Sequence, residues 1–304
     1  MAKKATTRRT KKDEPVTTEE TTTDVAVRPE TALATYDGYA EYAGEGLEGI
    51  DPKSIQIPFL NVCQSNSTKA KKSVEKGGFG AAEGDLFNSV SGEVYDGEAG
   101  VGFVAAAIRH AFVEWVPRDE DKDGGFVREW DPADDVIQNI KKTQPFGAKY
   151  KIDRPDGGQN DLVDTQYLIG VMFDIETMEP LSPMIVPFSS TKMKNFNRLM
   201  SMISMFQIPV QTPAGQRRIN PPLFAHPLRI TTFDDENKKG EFKNVNVTPL
   251  KGALKDGLLP PNSDLFQSAK GISDRFKEGH VMADYRGSES NGEEGSSEST
   301  DGHF

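Results

Sequence analysis

A single cysteine, Cys63, in 304 residues excludes an intrachain disulfide framework and any zinc site built from cysteines. Histidine is scarce too. His110, His226, His280 and His303 stand apart, none in an HExxH or CxxC-type setting, so no metal is expected. The absence of a GxxxxGK[ST] loop disfavours ATP-driven motors and recombinases. No apolar run approaches the roughly 20 residues of a transmembrane helix. The basic cluster Lys3, Lys4, Arg8, Arg9, Lys11 and Lys12 leads into no apolar core of a signal peptide. No membrane partner and no cofactor are expected, and the expected compartment is reducing cytoplasm.

Carboxylates, by contrast, abound. Runs such as Asp119, Glu120, Asp121 and Asp123, then Asp134 and Asp135, then Asp234, Asp235 and Glu236 could in principle hold catalytic metals. They fall in loops and turns, where they read as solvated residues, so no enzyme is expected. The net charge of -11 argues against a generally basic, nucleic-acid-coating surface. Any nucleic-acid groove must then be a local basic feature on an acidic body.

Residues 1–49 read as a disordered arm, basic and then acidic among many threonines, and 286–304 as a disordered acidic tail. Between them, 50–285 carries the patterns of a β-rich domain. Ile55, Ile57, Phe59, Leu60 and Val62 open it, and Lys69, Lys71, Lys72 and Lys76 follow in a glycine-rich loop. A hairpin pattern spans 85–96. Residues 101–116 form the longest apolar run, apolar on both alternating faces, with small residues midway that would let a long strand curl. Residues 117–164 read as a long polar excursion. A hairpin pattern then runs from Thr165 to Phe188, turning through Glu176–Pro180.

A helix follows, with Ser190 or Thr191 as expected cap and Met193, Phe196, Met200 and Ile203 on one face; Pro209 is expected to end it. Its methionines, Met205 included, read as core filler. A strand through Leu228 and Ile230 returns through Phe242, Val245 and Val247, and a last short helix carries Leu265, Ala269, Ile272 and Phe276 up to Gly279. The fold class expected is mainly β (α+β), an OB-fold-like barrel with one inserted helix between two hairpins.

The binding chemistry suggested by pattern lies in 141–154. There Lys141, Lys142, Lys149, Lys151 and Arg154 interleave with Phe146 and Tyr150. Cations neutralise phosphates while aromatic faces stack bases of any identity, the pairing that single-strand binders need. Secondary candidates are Lys69, Lys71 and Lys72, then Lys192, Lys194 and Arg198 on the helix, then Arg217 with Arg218. Phe112 and Trp115 on the long strand are further stacking candidates.

The chain ends Ser288-Glu289-Ser290-Asn291-Gly292-Glu293-Glu294-Gly295-Ser296-Ser297-Glu298-Ser299-Thr300-Asp301-Gly302-His303-Phe304. An acidic, flexible segment closing on a lone aromatic ring is suited to filling an apolar pocket edged by cations on a partner. With the β-rich body, and with the stretches Asn88–Gly97 and Phe112–Arg118, this resembles phage-encoded single-stranded DNA-binding proteins. The tail departs from the pattern in being less acidic and in carrying His303 before Phe304. The resemblance implies sequence-independent binding and protection of single strands in replication or recombination, in the host cytoplasm. It also implies recruitment of polymerase, primase or helicase, or recombinase through Asp301 and Phe304. A single-strand annealing protein and a non-catalytic phage structural or assembly protein remain open, as does a homo-oligomer.

Overall fold

A computed structural model of the chain describes residues 56–117, 125–144, 150–213, 215–237, 240–278 and 282–283, all within the compact unit Asp51–Phe304. Short strands β1 (Gln56–Ile57) and β2 (Leu60–Val62) come first, then the one-turn helix α1 (Thr68–Lys71) and strands β3 (Leu86–Asn88) and β4 (Val94–Tyr95). The apolar run forms β5 (Val101–Val116). After it come β6 (Gly125–Trp130), α2 (Asp135–Thr143), β7 (Tyr150–Asp153), β8 (Gln159–Phe173) and β9 (Pro180–Ser189). Helix α3 (Met193–Met205) leads to the hairpin β10 (Ile208–Thr212) and β11 (Gly215–Ile219). Strands β12 (Pro227–Asn237) and β13 (Gly240–Pro249), helix α4 (Asp264–Lys277) and β14 (Met282–Ala283), which pairs with β1, complete the order. The fold is β-rich α+β, with antiparallel main sheets.

The organising feature is a long ribbon, β5 against β8, paired from Gly102↔Phe173 to Trp115↔Asp161. One end of it continues on both sides into the path β13-β12-β5-β8-β9; the other end is flanked by β6 and β7. The ladder slips by a residue between Ala105 and Ala107, opposite Gly170. A Cβ on Gly170 would lie 2.0 Å from the Val104 carbonyl oxygen, so only glycine lets the bent strand approach this closely.

Both faces of the ribbon are covered, which is why both alternating sets of β5 are apolar. On one face Phe103, Ala105, Leu168, Met172, Met184, Val186 and Phe188 share a core with Leu228 and Ile230 of β12 and Val245 and Val247 of β13. Phe196, Leu199 and Ile203 of α3 close it. These three side chains are buried, each contributing roughly 1.5–3 kcal/mol of burial. On the other face Val104, Ala106, Ile169, Val171 and Ile185 lie under Leu265, Phe266, Ala269 and Ile272 of α4.

Among the described residues β9 and β13 do not pair with each other. The small β2-β3-β4 sheet links the two edges. Phe59 bridges Ile185 of β9, while the Gln64 side chain donates to the Lys243 carbonyl (2.7 Å) and accepts from its N–H (3.0 Å).

Four local expectations need correction. Residues 117–164 are not a plain excursion: β6, α2, β7 and the first residues of β8 lie there, because the overhanging ends of β5 and β8 offer edges to pair with. Asp134, read as a solvated turn residue, caps α2 by accepting from the Val136 N–H (2.9 Å). Neither Ser190 nor Thr191 caps α3. Ser190 adopts a left-handed φ of 49° and starts a 3-10 turn, leaving Lys192 at the helix start without a side-chain cap. The helix ends at Met205, short of Pro209, which lies inside β10; Gly279 lies outside the described residues.

Candidate nucleic-acid interface

Charge is distributed unevenly. Between Glu179 and Asp234 there is no aspartate or glutamate, although the chain carries 47 of them. The intervening 54 residues hold Lys192, Lys194, Arg198, Arg217, Arg218 and Arg229. This stretch builds β9, α3, the β10–β11 hairpin and the start of β12. It is the local basic feature that an acidic chain needs if it is to meet a polyanion.

Helix α3 turns Phe196, Leu199 and Ile203 inward, which leaves Lys194, Arg198, Ser201 and Met205 facing solvent at helical spacing. Met205 is 75 % exposed and so is not core filler: at the last turn the helix has run past the sheet. Among the described residues the hairpin that follows pairs only with itself. Alternation places Arg217 beside Val210 and Ile219 on one face of the ribbon, and Arg218 beside Pro209 on the other. Asn220 clips the hairpin's exit to the helix end, donating to the Ser204 carbonyl (2.6 Å) and the Phe206 carbonyl (3.0 Å).

Lys194, Arg198, Arg217 and Arg218 are exposed and have no ion-pair partner among the described residues. Lys192 is half-buried at the foot of α3, and desolvation pulls its pKa down to about 8. Arg229 donates from Nε to the Ala99 carbonyl (2.8 Å). His226 is buried and meets the Phe206 ring edge-on at 5.8 Å. Burial pulls its pKa below the ordinary value, against a smaller opposing influence of the Pro221 backbone.

The 141–154 stretch is divided by the structure. Lys141 and Lys142 end α2, with the Lys141 ammonium 5.5 Å from the Phe112 ring centroid. Tyr150 packs edge-on against that same ring, Lys151 pairs with Asp161 (2.6 Å), and Arg154 pairs with Asp156 (3.2 Å). Phe112 is fully buried and offers no face to a base; α2 covers it through Ile137. Trp115 is half-buried against Phe126. Lys69 stands 5.6 Å from the Phe79 ring and Lys71 beside Glu83, with Lys72 next to them in the loop. Phe146, Lys149, Asp301 and Phe304 lie outside the described residues, as do the arm 1–49 and the tail 286–304.

One cluster carries no pattern signal in the sequence. Glu114, buried on β5, accepts from Arg128 Nε (3.1 Å), Trp130 Nε1 (2.8 Å) and Asn160 Nδ2 (2.6 Å). Burial alone would raise its pKa. The three hydrogen bonds and the Arg128 charge outweigh that and hold the carboxyl below its ordinary value. Nearby, His110 Nε2 sits 2.8 Å from Asp164 Oδ1, partly exposed and with no nucleophile in the pair.

Among the described residues no group of histidine, cysteine and carboxylates could hold a metal, and no helix is long and apolar enough to cross a membrane. A family model described as Pam3 phage gp34-like protein matches residues 27–282. No curated protein and no solved structure matches the chain.

Proposed function

This chain belongs to the Pam3 phage gp34-like protein family, and we propose that it binds single-stranded DNA without sequence preference in phage replication or recombination. It acts in the cytoplasm of the infected host. The observation that carries this reading is the acid-free segment, which puts on α3 and the β10–β11 hairpin of a chain of net charge -11 exposed cations that have no ion-pair partner among the described residues. Two further features support it. A helix stands between β9 and β12, which come third and fourth in chain order among the sheet strands β5, β8, β9, β12 and β13, the position of the single helix in oligonucleotide-binding barrels. The cationic hairpin also exposes Ile219 beside Arg217, and the preceding helix exposes Met205; such apolar side chains suit unpaired bases better than a sheathed duplex.

The direct test is fluorescence anisotropy with labelled oligothymidylate and with duplex of equal length across a salt series. Preference for the single strand is expected, with affinity falling linearly on a log–log salt plot as counterions are released. Equal affinity for duplex, or none for either, removes this reading. No binding to either would favour a structural or assembly role.

The acidic segment 286–304 is proposed to recruit replication or recombination proteins, with Asp301 and Phe304 as contacts. Deleting 288–304 is expected to leave DNA affinity unchanged or raised, since five carboxylates that compete with phosphate are lost. Phe304→Ala alone is expected to abolish most capture of the phage's own polymerase, primase or recombinase. Undiminished capture by Phe304→Ala would reduce the tail to a solubilising segment.

A further inference from the structure

We propose that the guanidinium of Arg128, laid over the Trp130 ring, is a stacking seat for an unpaired nucleobase. The inference rests on the single-strand reading and adds a contact at the far end of the ribbon, on β6. There Phe112 pairs with Trp130 and Glu114 with Arg128, so the two β6 side chains share a face. The Arg128 Cζ stands 3.8 Å from the Trp130 centroid, a van der Waals stack. Its Nε is tethered to Glu114, whose carboxylate is itself held by Trp130 and Asn160.

The tether uses only Nε. Both terminal nitrogens of Arg128 lack a protein partner among the described residues, and the side chain is 57 % exposed. Neutralising Glu114 requires only a positive charge, which a lysine would supply. The geometry instead presents a flat cation with one face on indole and the other open, the surface on which unpaired bases stack.

Local charge selects a base over a phosphate. Glu129, Asp131, Asp134 and Asp135 follow Arg128 closely in the chain, and among the described residues Glu129 alone of the four is engaged by a cation, Arg109. Carboxylates repel both phosphate and an acidic peptide, whereas a neutral base is indifferent to them. The contact should therefore be insensitive to sequence and persist at high salt, when phosphate contacts have weakened.

The chain has two tryptophans, Trp115 and Trp130, so the full-length Trp115→Phe protein reports Trp130 alone. Titrating it with oligothymidylate of roughly 20 nucleotides, longer than the roughly 4–16 occupied by one barrel, is expected to quench Trp130 emission in step with anisotropy of the labelled strand. Arg128→Lys keeps the charge beside Glu114 but removes the flat face. It is expected to lose the quench and bind about 5-fold or more weakly at high salt. Normal anisotropy binding with unmoved Trp130 emission, or with unchanged high-salt affinity in Arg128→Lys, overturns the seat and leaves single-strand binding standing. Absence of binding by the unmodified protein overturns both.

Discussion

Replacing Arg217 and Arg218 together by alanine is expected to weaken binding of single-stranded DNA by about 10- to 100-fold at low salt, roughly 1.4–3 kcal/mol. Both guanidinium groups are exposed, neither has an ion-pair partner among the described residues, and they sit in a segment free of carboxylates. A phosphate reaching them displaces only water and counterions. Each lost contact should lower the salt slope by about 1, so the double variant should bind with a shallower salt dependence as well as lower affinity. Its unfolding midpoint should not move, because exposed side chains without partners contribute little to stability. Lys151→Ala with Arg154→Ala is the matched comparison. Those cations already face Asp161 and Asp156, so their loss should cost the complex far less. If the β7 pair proves the more damaging, the interface lies on the β6–β7 lobe and not on the hairpin.

The second large effect is on stability. Glu114→Ala is expected to destabilise the fold by about 2–4 kcal/mol, read from urea unfolding at neutral pH. The change strands the Trp130 indole N–H and the Asn160 amide, and releases Arg128 from its anchor, at the point where β6, β5 and β8 are tied together. Glu114→Gln should cost less, since an amide oxygen still accepts hydrogen bonds. The folded-state pKa of Glu114 is depressed, so its contribution is present above the unfolded value of about 4.3 and is lost as pH falls through the lower folded value. The unmodified protein should therefore lose stability on acidification more steeply than Glu114→Gln. Equal stability of Glu114→Ala and the unmodified protein at neutral pH would mean that the buried carboxylate is not a tie.

Much of the architecture was legible in local pattern. Alternation through Val101–Val116 marked a strand apolar on both faces, and Phe196 with Ile203 marked the helix that closes the core. The Asp174–Glu179 turn and the Pro227–Pro249 hairpin were legible for the same reason, since turn residues and apolar alternation are local properties. The β10–β11 hairpin was not. Its strand Gly215–Ile219 is exposed throughout apart from Gly215, so no buried face imposes a period on the sequence.

The proposed interface divides similarly. Lys194, Arg198, Arg217 and Arg218 were visible as residues, and the missing signal was the absence of carboxylates around them, which a map of charge by position reveals. The aromatic and basic run at 141–154 was the stronger pattern, yet composition does not say which cations are neutralised. Asp161 lies ten residues from Lys151 in the chain and reaches it only because β7 pairs with β8.

By itself the sequence determined a β-rich body, its two best helices, and a cationic stretch bare of acids. Those properties depend on composition and on periodicity within one element, where each residue's neighbours are known. The tertiary structure alone decided that Phe112 is sealed beneath α2 while Arg128 lies open on Trp130. Exposure and pairing across a sheet are set by residues distant in the chain, and only closure of the β5–β8 ribbon brings Glu114, Arg128, Trp130 and Asn160 to one point.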